Sequence, residues 1–132
     1  MATVRLLSDE EAPAESRAVF DEIRAARKTD FVNNFWRALA HDPAQLADTW
    51  RRLSQVMAPG ALDPLVKELI YVAVSTANGC SYCVHSHTAA ARAKGMTPAM
   101  HTELLAVIGM ASQTNALATT LQVPTDPRFQ ED

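Results

Sequence analysis

The sequence is short of cysteine, of glycine and of surplus positive charge. Its 132 residues include two cysteines and four glycines. Two cysteines cannot form the disulfide framework of a small secreted domain. The 12 Lys and Arg residues are outnumbered by 15 Asp and Glu residues, which gives a net charge of -3. Because no surplus of cations is present to neutralise phosphates, we expect no nucleic-acid partner.

The sequence also lacks repeats, low-complexity segments and long unbroken apolar runs. Because a membrane-spanning helix needs about 18 apolar residues, we expect no such segment and no membrane partner. Near the N-terminus the polar stretch 8–11 precedes any apolar run, so we expect no signal peptide and a cytoplasmic location. The length fits a single domain over residues 1–132, which is large enough to bury one core without metal or disulfide.

Proline and capping residues divide this domain into segments with helical spacing. Ser8 or Asp9 could cap the first helix, and the pairs Asp42-Pro43, Asp63-Pro64 and Thr97-Pro98 are typical helix starts. The domain then consists of N-terminal helices within 10–58, a central motif region at 63–95 and a C-terminal helix at 98–121. We predict helices over residues 10–28, 33–40, 43–58, 65–76, 80–94 and 98–121.

One segment is ambiguous, since the apolar run at 69–74 could be a buried strand. A strand before a CxxC at a helix start is typical of thioredoxin domains. Every other segment has helical spacing, however, and a single strand would have no pairing partner. We therefore predict an all-α fold in which 69–74 is helical.

The last predicted helix is rich in small residues, such as Gly109 and Ala116. Small side chains on a helix favour close packing against another helix. A short helical chain with many apolar residues tends to need a partner surface, so we expect a homo-oligomer.

The residues with the clearest chemical potential lie between positions 68 and 87. On a helical template Cys83 lies at about 300° and His87 at about 340° from Cys80, so these three share one face, whereas His85 at about 140° points the other way. A helix N-terminus favours thiolate over thiol, which should lower the pKa of both cysteines. His87 could act as the base for Cys83, and Glu68, an acid within an apolar helix, needs a partner such as His87.

Other interpretations of these residues remain open. The CxxC could bind zinc, with His87 and either His85 or Glu68 as further ligands, although structural zinc sites usually have a second ligand pair. The cysteines could instead be buried and inert. The chain could also be a redox-sensing or zinc-binding interaction module, whose cysteines change state without turnover.

Glu68, Cys80-Ser81-Tyr82-Cys83 and His87 together resemble the core signature of alkylhydroperoxidase AhpD-like proteins, within the carboxymuconolactone decarboxylase superfamily. The resemblance extends over about residues 30–120 and includes segment 34–43. It implies an all-α helical domain with the CxxC at the N-terminus of a helix in a helical hairpin. It also implies assembly into trimers or hexamers.

For function, the resemblance implies a thiol peroxidase that needs neither a cofactor nor a metal. Cys83 would attack the hydroperoxide, Cys80 would resolve the product as a disulfide, and Glu68 and His87 would relay protons. An external dithiol, such as a lipoyl-bearing or thioredoxin-like protein, would then reduce the disulfide. The better-characterised peroxidases of the family have a histidine at the position of Tyr82, and the decarboxylase branch lacks the cysteine pair.

Overall fold

The structure, a computed structural model, describes residues 1–130, and within that range it contains helices and no strand. The all-α prediction is therefore confirmed, and residues 69–74 are helical. The helices, named in chain order, are α1 (Ala14–Arg27), α2 (Asn34–Leu39), α3 (Pro43–Met57), α4 (Pro64–Ala77), α5 (Ser81–Ala93) and α6 (Pro98–Leu121), followed by a short 3-10 turn (Pro127–Phe129).

Three helices begin at the predicted pairs of a capping residue and a proline. The side chains of Asp42, Asp63 and Thr97 accept hydrogen bonds from backbone N–H groups two or three residues further on, at 3.1, 2.8 and 3.1 Å respectively. In each helix the proline occupies the first turn, where its missing N–H has no intrahelical acceptor to lose.

The first helix starts at Ala14, later than predicted, because neither Ser8 nor Asp9 caps it. Pro13 occupies the N-cap position of α1 and no side chain caps it. The carboxylate of Asp9 instead pairs with Arg24 at 2.7 Å and with Arg37 at 3.0 Å. The expectation that Ser8 or Asp9 caps this helix is wrong, since ion pairs with residues distant in sequence hold the segment.

Contacts divide the chain into two compact units, of which the first comprises Met1–Ala58. In this unit α1 and α2 each pack against α3. Its core contains the fully buried side chains of Phe20, Ile23 and Leu46. This unit contains none of the candidate site residues, and the prediction of a single domain over 1–132 stays a prediction.

The second unit begins at Pro59 and contains α4, α5 and α6. α4 packs against both α5 and α6. A tight connection over residues 78–80 joins α4 to α5, and Gly79 has a φ of 69°, a left-handed conformation that favours glycine. The resulting helical hairpin places the end of α4 beside the start of α5.

α6 is the most exposed helix, and none of its residues is buried. By length and composition it could cross a membrane, which corrects the expectation that no segment qualifies. That expectation counted only unbroken apolar runs, whereas α6 mixes apolar residues with threonines and has Glu103 as its only acidic or basic residue apart from a histidine. A single such helix is weak support for a membrane location, because helices at protein interfaces have similar composition.

Candidate active site

The two cysteines lie at the N-terminus of α5, where the chain turns out of the hairpin connection. Cys80 is the N-cap residue, and its Sγ accepts a hydrogen bond from the backbone N–H of Cys83 at 3.4 Å. Both cysteines are free thiols and half-buried. One helical turn separates them, a spacing that permits a disulfide with little backbone movement.

The structure distinguishes the two thiols electrostatically. Hydrogen bonds from the side chain and the backbone N–H of Cys83 lower the pKa of Cys80. Burial, together with the hydrogen bond and the charge of Cys80, raises the pKa of Cys83 to about 11. The expectation that the helix N-terminus favours thiolate at both positions is therefore wrong for Cys83, because burial and the adjacent Cys80 outweigh the effect of the helix terminus on its pKa.

Glu68 and His87 meet across the hairpin. Glu68 lies on α4 and is 3% exposed, and its Oε2 is 2.7 Å from Nδ1 of His87 on α5. Burial by itself would raise the pKa of Glu68, but the hydrogen bonds from His87 and Lys94 and the charge of Lys94 lower it overall. A buried carboxylate is thus held in its charged form beside an imidazole that shares the helix of both cysteines.

The ammonium group of Lys94 is a third member of this cluster, which the sequence analysis did not identify. Its Nζ donates a hydrogen bond to Oε1 of Glu68, so both carboxylate oxygens have partners. Lys94 is the C-cap residue of α5 and lies seven residues after His87. Two helical turns return a side chain to nearly the same face of a helix. The spacing in the sequence could therefore have identified Lys94 as a neighbour of His87.

Tyr71 is a fourth member that the sequence analysis missed. Its ring stacks on the imidazole of His87, with centroids 3.6 Å apart and an angle of 18° between the planes. Tyr71 lies three residues after Glu68 on α4, so one face of that helix supplies both the acid and the stacking ring. Burial and the negative charges of Cys83, Glu68 and Cys80 raise the pKa of its phenol.

The structure does not place His85 in this cluster, since its side chain is exposed. Tyr82 between the cysteines is 43% exposed. Among residues 1–130 no group of three or more His, Cys, Asp or Glu side chains is arranged to hold a metal ion. The described arrangement can therefore support thiol–disulfide chemistry with proton transfer through an imidazole and a carboxylate.

Comparison with known proteins supports the all-α fold. A family model described as "Carboxymuconolactone decarboxylase family" matches residues 44–126. The chain is also similar to a crystal structure of the alkylhydroperoxidase AhpD core from Rhodospirillum rubrum, with 64% sequence identity and a TM-score of 0.97. That similarity covers 100% of this chain and 99% of the other.

Relatives named alkyl hydroperoxide reductase AhpD include proteins from two bacteria. The protein from Solibacter usitatus is 37% identical over 113 residues, which cover 84% of this chain and 62% of that protein. The protein from Maricaulis maris is 31% identical over 122 residues, which cover 83% of this chain and 65% of that protein. The chain thus spans less than two thirds of the length of these relatives.

Proposed function

The chain belongs to the carboxymuconolactone decarboxylase family as an AhpD-like member, and we propose that it is a thiol peroxidase that reduces hydroperoxides through a Cys80–Cys83 disulfide. The observation that carries this proposal is the 2.7 Å contact between Glu68 and His87, on the same hairpin as the two thiols. A buried acid beside an imidazole near a nucleophile is the arrangement that activates thiols in enzymes. The names of the relatives support the same activity.

In the proposed first step, Sγ of Cys83 attacks the terminal oxygen of a hydroperoxide, ROOH. The S–O bond forms as the O–O bond breaks, which oxidises the sulfur by two electrons and reduces the peroxide to an alcohol. Because Cys83 retains its proton more strongly than Cys80, the proton must leave during the attack. His87 accepts it, with Glu68 stabilising the imidazolium, and delivers it to the departing alkoxide.

In the second step, Cys80 attacks the sulfenic acid on Cys83. The S–O bond breaks, a disulfide forms and water leaves with the thiol proton of Cys80. An external dithiol then supplies two electrons and two protons, which restores both thiols. We propose a lipoyl-bearing or thioredoxin-like protein as this donor. Every step uses side chains alone and requires neither a cofactor nor a metal.

The proposal is tested by following both thiols in the fully reduced protein after one equivalent of cumene hydroperoxide. We expect rapid loss of two thiols, recovery on addition of a dithiol, and repeated turnover when both reagents are present. Cys80→Ser should accumulate a sulfenic acid on Cys83, whereas Cys83→Ser should be inactive. Full turnover by Cys83→Ser would contradict the mechanism. A single stoichiometric oxidation without recycling would indicate a redox sensor instead.

The relay has a matched control on the same helix. His87→Gln removes the imidazole that contacts Glu68, whereas His85→Gln removes an exposed imidazole two residues earlier. We expect a loss of about 10²- to 10⁴-fold in the rate of Cys83 oxidation for His87→Gln, as for other general bases, and little change for His85→Gln. Equal rates for the two variants would remove His87 from the mechanism.

We also propose that the chain is a homo-oligomer, a trimer or hexamer, whose subunits contact one another through α6. An apolar stripe of coiled-coil-like spacing runs along this helix, and its members are 53–72% exposed. An exposed stripe of this length favours a protein partner over free solvent. A second copy of the chain accounts for the apolar surface of α6 without a bilayer, which is consistent with a cytoplasmic location. The stripe comprises Val107, Met110, Leu117 and Leu121.

A further inference from the structure

The carboxylate of Glu68 has two partners, and the proposed mechanism uses only one of them. Oε2 faces Nδ1 of His87, while Oε1 accepts a hydrogen bond from Nζ of Lys94. The side chain of Glu68 is 4% exposed, so water contributes little to its stabilisation. With one partner on each oxygen, the plane of the carboxylate is fixed by the protein.

The two partners lie on one face of α5 and hold Glu68 between them. Lys94 ends this helix as its C-cap, and its own backbone N–H is bonded to carbonyls of the last turn. Gly95 follows with a φ of 102°, a conformation that ends the helix immediately after Lys94. The helix end thus fixes the position of the lysine backbone. The ammonium group therefore approaches Glu68 from a fixed point two turns beyond His87.

The charge of this ammonium group matters to the imidazole. A buried carboxylate with no other cation nearby is stabilised by a protonated imidazole, and an imidazolium cannot accept a proton from a thiol. The ammonium group of Lys94 places a positive charge on the opposite oxygen. Glu68 can then orient His87 through its hydrogen bond without requiring it to be charged.

We propose that Lys94 is a positioning residue of the redox site. It balances the charge of Glu68 and, by binding Oε1, keeps Oε2 of the same carboxylate hydrogen-bonded to His87. This inference rests on the proposed peroxidase function, because it assigns Lys94 a role in the same proton relay. Lys94 acts through Glu68, whose Oε1 accepts its hydrogen bond. A purely structural tie between α4 and α5 would affect stability but not the relay.

The test compares Lys94→Gln, Lys94→Arg and the control Arg92→Gln, an exposed cation two residues earlier on the same helix. The readout is the single-turnover rate of disulfide formation with cumene hydroperoxide, at equal fold content by circular dichroism. We expect Lys94→Gln to slow the reaction about 10- to 100-fold, as expected for a displaced catalytic group. Lys94→Arg should restore most of the rate, and Arg92→Gln should match the parent protein.

A double-mutant cycle separates positioning from structure. In a Glu68→Gln background the lysine has no carboxylate to balance, so Lys94→Gln should cause no further loss of rate. An equal loss in both backgrounds would overturn the proposal, as would an unchanged or faster reaction in Lys94→Gln alone. If Lys94→Gln folds poorly, Lys94→Met is measured in the same cycle and judged by the same two outcomes.

The reaction of the thiols with Ellman's reagent keeps this inference distinct from the proposed function. That reaction needs an activated thiol but no hydroperoxide. Failure of the parent protein to react with cumene hydroperoxide would refute the peroxidase alone. The assignment of Lys94 to the relay would still stand on one result. Lys94→Gln would have to slow the reaction with Ellman's reagent in the protein that retains Glu68, and leave it unchanged in the Glu68→Gln protein.

Discussion

Replacement of Cys80 with serine should make Cys83 a stronger acid. In the reduced protein the pKa of Cys83 is about 11, raised first by burial and then by the hydrogen bond and charge of Cys80. Serine retains an oxygen that can cap α5, so the helix start should be preserved. It carries no negative charge at neutral pH. The pKa of Cys83 should therefore fall towards the ordinary thiol value of 9.0, while burial keeps it above that value.

The size of the effect follows from the fraction of thiolate. At pH 8 a thiol with a pKa of about 11 is roughly 0.1% ionised. A fall of about one pH unit would raise that fraction about tenfold, but a less basic thiolate is also a weaker nucleophile, with a Brønsted slope of about 0.4–0.5. The net gain in alkylation rate at pH 8 should be about three- to fourfold.

The assay is alkylation of reduced protein with iodoacetamide over a range of pH, with each cysteine quantified by mass spectrometry. The pH of half-maximal labelling at Cys83 should be lower in Cys80→Ser than in the parent protein. A matched pair of variants tests the effect of Cys83 on the pKa of Cys80, because Cys83→Ser retains a side-chain donor to Cys80 and Cys83→Ala does not. The pKa of Cys80 should be higher in the alanine variant. Unchanged labelling of Cys83 in Cys80→Ser would refute this account of how the two thiols interact.

Two further predictions concern stability and assembly. The pKa of Glu68 is lower in the folded protein than its ordinary value of 4.5, so its contribution to stability is present above pH 4.5 and is lost as the pH falls through the lower, folded value. The free energy of unfolding is measured in urea from pH 3 to 7 for the parent protein and for Glu68→Gln. The difference in favour of the parent protein should be constant near neutrality and shrink below pH 4.5. A difference that grows in acid would show that folding raises the pKa of Glu68 instead of lowering it. Light scattering in detergent-free buffer should give a multiple of 14.4 kDa. Val107→Glu on the exposed stripe of α6 should lower that mass and Gln113→Glu should not, whereas a 14.4 kDa parent protein would refute the assembly.

The sequence alone determined the features that depend on neighbours a few residues away. The caps at Asp42, Asp63 and Thr97 bond to N–H groups within three residues, so composition and order were sufficient to predict three helix starts. Helical periodicity likewise placed Cys83 and His87 on one face. The first helix was predicted less well, because Asp9 is held by arginines far along the chain, and local patterns do not encode such pairs.

The tertiary structure decided which groups surround the buried carboxylate and how the thiols differ. Glu68 has Lys67 beside it in sequence, yet the lysine that binds it is 26 positions away. Only the packing of α4 against α5 selects Lys94, and the same packing stacks Tyr71 on His87. The two thiols share one helix terminus, and from that position alone the sequence predicts a lowered pKa for both. Burial in the folded hairpin separates their acidities, because the cost of charging a group depends on the solvent that the fold removes.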